Sequence, residues 1–162
     1  DVINSLIKSW AHDEETIQFW RASSNFVIAY SKDEEQYFLR FSFEQEKSIE
    51  HIQAELEYMS YLNVNRYPCV SPVASLNGNY IEATQSQESM YYAVVFKAAQ
   101  GKSLDENLTE LQFEDWGKAL GVLHRLSEAY EPVSKKRGDW QDVLNGMATI
   151  LQRHHEKEAI AE

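Results

Sequence analysis

The sequence is short of several things. One cysteine, Cys69, stands among 162 residues, so no internal disulfide can form, which fits a reducing cytoplasm. Its neighbours Pro68, Val70 and Pro72 predict a packed or extended segment holding a buried structural thiol. Six glycines and three prolines are too few for a collagen-like or low-complexity chain, and no internal repeat is visible. No apolar run approaches the ~20 residues of a membrane-spanning helix. The opening Asp1-Val2-Ile3-Asn4 lacks the basic start and long apolar core of a signal peptide. Basic residues are also scarce: 15 Lys and Arg against 26 Asp and Glu leave a net charge of −11. The deficit is even, with 7 basic and 14 acidic groups in residues 1–100 and 8 and 12 in the remainder. Such a surface repels phosphate backbones and anionic lipid, so neither nucleic acid nor membrane is an expected partner.

What is present is enough for a core. Hydrophobic residues make up 43% of the chain, with four Trp, nine Tyr and seven Phe. Val2, Ile3, Leu6, Ile7 and Trp10 form one stripe, predicting a short amphipathic helix over residues 1–11. Three strand-like runs follow at residues 16–21, 26–30 and 36–42, separated by polar turns at 22–25 and 32–35. The period then changes: Ile49, Ile52, Leu56, Met59 and Leu62 predict a helix over 48–63. Asn77-Gly78 signals a turn before two further strands at 79–84 and 91–96. Thr109 and Gln112 have capping-box spacing, predicting a helix from there to about Ala129. Phe113, Trp116, Leu120 and Leu123 form its apolar face, and Gly117 and Gly121 a flat strip for close helix approach. A basic loop at 135–139 precedes a last predicted helix over 139–159.

This order is α+β: a five-stranded antiparallel sheet with one packed helix, a hinge, and the first helices of a helical lobe. Four stretches resemble the aminoglycoside phosphotransferase and choline kinase group of small-molecule kinases. Residues 21–26, Arg-Ala-Ser-Ser-Asn-Phe, lie where that group's first hairpin loop covers nucleotide phosphates. Residues 37–41, Tyr-Phe-Leu-Arg-Phe, resemble its third strand with a phosphate-contacting cation, and 54–59 resemble its paired helix. Residues 95–104 resemble its hinge, and 120–126 the first helix of its large lobe.

The resemblance implies a kinase-like small lobe over 1–96, a hinge at 97–104 and the start of a large lobe over 105–162. It implies ATP or GTP with Mg²⁺, and a small-molecule hydroxyl as phosphoryl acceptor. Arg40 would orient phosphates, Glu55 would hold Arg40, and Ser23, Ser24 and Asn25 would cover the nucleotide. The backbone at Lys97, Ala98 and Ala99 would receive the adenine edge. Helical geometry selects the acid independently: at 100° per residue Glu55 lies beside Ile52 and Met59 at the margin of the buried stripe. Glu50 and Glu57 fall on the opposite side, toward water. An acid at a core margin needs a cation, and Arg40 is the one this fold would bring to it; an exposed Glu55 with a surface Arg40 is the alternative.

Arginine replaces the lysine most kinases carry; it still binds phosphate bidentately and stays charged. The loop at Ser23-Ser24-Asn25 has no glycine, so it reads equally as a polar hairpin turn. His124 reads as a helix-packing residue and His154-His155-Glu156 as a solvated face. No His-Gly-Asp catalytic loop occurs in residues 130–162, and Asp139 lacks its context. No catalytic or metal-binding residue is therefore expected in this chain, which reads as ending before the catalytic loop and inert by itself. A non-catalytic interaction module with a kinase-like sheet is the alternative function. The apolar faces of the last two helices would also allow association into a dimer.

Overall fold

The computed structural model describes residues 2–22, 25–86, 89–101 and 109–133, together with Leu144 and Met147. The predicted helix over 139–159, apart from those two residues, and the hinge end at 102–104 lie outside the described residues. The elements run α1 (Val2–Ile7), a 3-10 turn (Glu14–Thr16), β1 (Gln18–Ala22), β2 (Phe26–Lys32) and β3 (Glu35–Phe43). They continue with α2 (Ile49–Val64), β4 (Pro72–Val73), β5 (Glu82–Ser86), β6 (Ser89–Lys97) and α3 (Glu110–Glu128).

All the pairings are antiparallel, in the order β1-β2-β3-β6, with β4 and β5 both pairing the far edge of β6. The sheet thus has six strands, not five. The added one, β4, is a pair of residues laid against Val95 and Phe96. Two residues carry no periodicity, and Pro72 has no N–H to give, so the sequence shows it only as an extended segment. The Trp10 indole N–H donates to the Val73 carbonyl at 2.9 Å and fastens it beneath α1.

Strand alternation sends side chains to two cores. Leu39, Phe41, Ala93 and Val95 face α1, where Leu6, Ile7 and Trp10 are buried with Ile28 and Tyr30. Tyr92, Val94 and Phe96 face the other way, against Ile52 of α2 and the partly buried Ile49, Leu56 and Met59. Since β3 alternates as β6 does, Phe38 and Arg40 emerge on the α2 side.

The far end of α2 is held by the last turn of α3 and the chain that leaves it. The Tyr58 hydroxyl meets Ser127 Oγ at 2.5 Å, and the Tyr61 hydroxyl donates to the Leu126 carbonyl at 3.0 Å. The Val133 N–H donates to Glu57 at 2.6 Å, so Glu57 is half-buried and engaged rather than turned to water as expected. Tyr130 packs edge-on to Tyr58 with ring centroids 4.9 Å apart. The capping box at Thr109 and Gln112 forms as the spacing predicts. The face of α3 stays open among the described residues: Phe113 and Trp116 are half exposed, and a Cβ on Gly117 or Gly121 would meet nothing. His124 is likewise exposed rather than packed.

The β2–β3 hairpin turns on two residues, Asp33 (φ 52°) and Glu34 (φ 66°), both in the left-handed region. That is the type I′ geometry a right-twisted hairpin favours, filled here without glycine. Glu34→Gly should remove the strain at an exposed site and stabilise the protein by about 1 kcal/mol. Denaturant unfolding checks it; an unchanged or lower midpoint would argue against a strained turn.

Candidate functional site

Arg40 sits mid-strand in β3, between Val27 of β2 and Val94 of β6. Glu55 sits two turns into α2, one turn after the buried Ile52. The predicted pair is made: Arg40 Nη1 donates to Glu55 Oε1 at 2.6 Å, with both side chains about one-fifth exposed. The Arg40 guanidinium also lies over the Phe96 ring, 5.1 Å from its centroid.

A second cation, absent from the sequence reading, completes the group. Lys47 Nζ donates to Glu55 Oε2 at 2.5 Å. Lys47 belongs to the turn after β3, whose backbone is tied back by Glu46 and Lys47 N–H bonds to the Phe43 carbonyl. Its only sequence signal is a lysine just before the Ser48 cap position. Burial pushes the Glu55 carboxyl up, but the hydrogen bonds from Arg40 and Lys47, with their charges, outweigh it. The net effect holds Glu55 below its ordinary value.

Arg40 and Glu55 line a cavity of about 470 Å³ with Trp20, Arg21, Val27, Phe38, Met59, Val70, Phe96, Lys97 and Ala99. Its walls are mostly apolar, with Arg21 and the Arg40–Glu55 pair as charged groups and Lys97 at the end of β6. A neighbouring cleft of about 600 Å³ shares Val70, Lys97 and Ala99 with it and is bordered by Cys69, Ser71, Ala98 and Gln100. Cys69 is half-buried on that wall rather than sealed in the core, and burial raises its thiol pKa. A thiol so raised is a weak nucleophile at neutral pH.

The expected hinge backbone divides into two kinds. The Ala98 N–H donates to the Gln36 carbonyl at 2.9 Å, so it belongs to the sheet. Lys97 lies opposite Tyr37 one residue earlier, so alternation turns its own N–H and C=O away from β3, to the edge of β6 along which β4 pairs. The Lys97 ammonium pairs with Glu35 on the exposed rim. Of the loop residues, Ser23 and Ser24 lie outside the described residues, and Asn25 stands half-buried at the start of β2. Trp20 is the extra residue of a bulge in β1, and its ring meets Phe38 edge-on at 5.4 Å. Among the described residues no three His, Cys, Asp or Glu side chains cluster as metal ligands.

A group with a depressed acid pKa stabilises the fold above its unfolded value and loses that contribution as pH falls through its folded value. Glu55 should therefore lend stability that fades on acidification below pH 4.5. Thermal melts of wild type and Glu55→Gln across that range test it: the two curves should converge, and parallel curves would count against the assignment.

Known proteins share this fold. The sequence is 24% identical over 145 residues to the amicoumacin kinase of Bacillus subtilis (strain 168), covering 87% of this chain and 43% of that protein. Among solved structures, an amicoumacin kinase in complex with AMP-PNP, Ca²⁺ and Ami superposes with a TM-score of 0.76 at 21% identity. That match covers 87% of this chain and 44% of the other. A microcompartment-associated aminopropanol kinase superposes with a TM-score of 0.71 at 19% identity, covering 86% of this chain and 44% of that one. The chain thus spans less than half the length of the relatives it matches. The phosphotransferase enzyme family (APH) matches residues 16–159, and the chain belongs to that family.

Proposed function

We propose that this chain forms the nucleotide-holding part of a phosphotransferase that moves the γ-phosphoryl of ATP or GTP to a hydroxyl of a small molecule. The observation that carries the reading is the Arg40–Glu55 pair on the wall of a mostly apolar cavity beside the end of β6. A carboxylate fixes the guanidinium, and the guanidinium presents N–H groups where phosphate oxygens would lie. With Lys47 counted, two cations face one carboxylate. The excess positive charge favours a polyphosphate on an otherwise acidic protein.

The adenine would lie between Val27, Val70 and Phe96, which supply flat apolar contact. The Lys97 carbonyl would accept from its exocyclic amine and the Ala99 N–H would donate to its ring nitrogen. The Ala98 N–H is already committed to the Gln36 carbonyl. Ser23, Ser24 and Asn25 would close over the phosphates from the first hairpin. Magnesium would come with the nucleotide and shield the charge of the transferred group. Arg40, Glu55 and Lys47 bind and orient; none of them is placed to take the proton of an acceptor hydroxyl. That step would fall to residues of the intact phosphotransferase outside this site.

Replacing Arg40 by Ala should weaken ATP binding about tenfold or more, equivalent to about 1.4 kcal/mol. Calorimetry, or the fluorescence of Trp20 on the cavity wall, measures this on the chain itself. In the intact enzyme the same change should raise the nucleotide KM sharply. Equal ATP affinity in wild type and variant would remove Arg40 from the site.

A further inference from the structure

The second oxygen of Glu55 carries more information than the first. Guanidinium and carboxylate groups commonly close two parallel bonds when both oxygens are accessible. Here the contact uses Nη1 and Oε1 alone, and Oε2 accepts from Lys47 instead. The Lys47 side chain is about three-quarters buried, so this is not a solvated surface pair. Its backbone is anchored to Phe43, at the end of the strand that carries Arg40. Lys47 and Arg40 therefore hold Glu55 from one structural unit, the helix being the other. The cavity wall includes Arg40 and Glu55 but not Lys47.

We propose that Lys47 is a positioning residue that keeps the Arg40–Glu55 contact single-pointed. The rest of the Arg40 guanidinium then remains directed at the cavity, for an oxyanion of phosphate type. Without Lys47, Oε2 becomes available to Arg40, the pair closes bidentately, and the guanidinium turns onto Glu55 and away from the ligand. Holding Glu55 ionised is the other half of the role, since burial favours its neutral form. The phosphate part of this proposal rests on the nucleotide reading above, whereas the geometry of the three side chains does not.

The test uses the chain with Lys47→Met and Lys47→Arg. Carbon-13 titration follows the Glu55 carboxyl, nitrogen-15 spectra follow the Arg40 guanidinium, and calorimetry measures ATP and inorganic tripolyphosphate. Tripolyphosphate separates anion binding from adenine binding. In Lys47→Met the Glu55 midpoint should rise, the Arg40 signals should shift, and both ligands should bind about fivefold more weakly. Lys47→Arg should restore all three. Unchanged Glu55 and Arg40 signals in Lys47→Met would overturn the proposal. Shifted signals with undiminished tripolyphosphate affinity would overturn it too, leaving Lys47 as a mere counter-charge. If the wild-type chain binds neither ligand, the nucleotide reading fails. The Arg40 signals then decide alone: shifted in Lys47→Met, they support the clamp, and unshifted, they refute it.

Discussion

A half-buried carboxylate needs its charge met, and the side chain of Glu55 is met twice. Arg40 reaches it from the middle of β3 and Lys47 from the turn that ends β3. Removing such a carboxylate from water is costly unless the partners are close and well aligned. The interaction therefore constrains where α2 can lie. It sets the helix against the sheet at one height, with Ile52 one turn before Glu55 entering the apolar layer over Val94 and Phe96. The same constraint defines the cavity, because Glu55 and Met59 form its helix side and Arg40 and Phe96 its sheet side.

The pair in turn depends on register. In β3, Leu39 and Phe41 fill the α1 core, so Arg40 between them must point to α2. A one-residue slip against β2 or β6 would bury Arg40 in the α1 core and expose the apolar set. The hairpin between Lys32 and Glu35 fixes that register, although its two central residues sit in a strained conformation. The opposite end of α2 is tied by Tyr58 and Tyr61 to the last turn of α3. The helix that bears Glu55 is thus gripped by the sheet at its start and by the following helical segment at its end.

Most of the secondary structure was legible because its periods are strong. The apolar stripe of 48–63 and the capping pair Thr109–Gln112 each specify a local geometry without help from distant residues. Glu55 was also legible, since a polar residue at the margin of an apolar stripe announces a need for a partner, and Arg40 was named as that partner through the resemblance to a kinase-like fold. Lys47 was not: it lies outside both regular elements and has no pattern of its own. The misplacements of Glu57, His124 and Cys69 share a cause. Each depends on what the rest of the chain brings to a surface, and periodicity reports only which way a side chain leaves its own backbone. The strand at Pro72–Val73 exists only because the edge of β6 is there to pair with it.

By itself, then, the sequence determined the order of most elements and the faces they would bury. Those follow from interactions within a few residues, where spacing dictates geometry. Only the tertiary structure decided how Arg40 and Glu55 meet. The single-pointed contact, the second cation on Oε2 and the division of the hinge backbone between the two sides of β6 are products of long-range register. Register is a property of strands paired across dozens of residues.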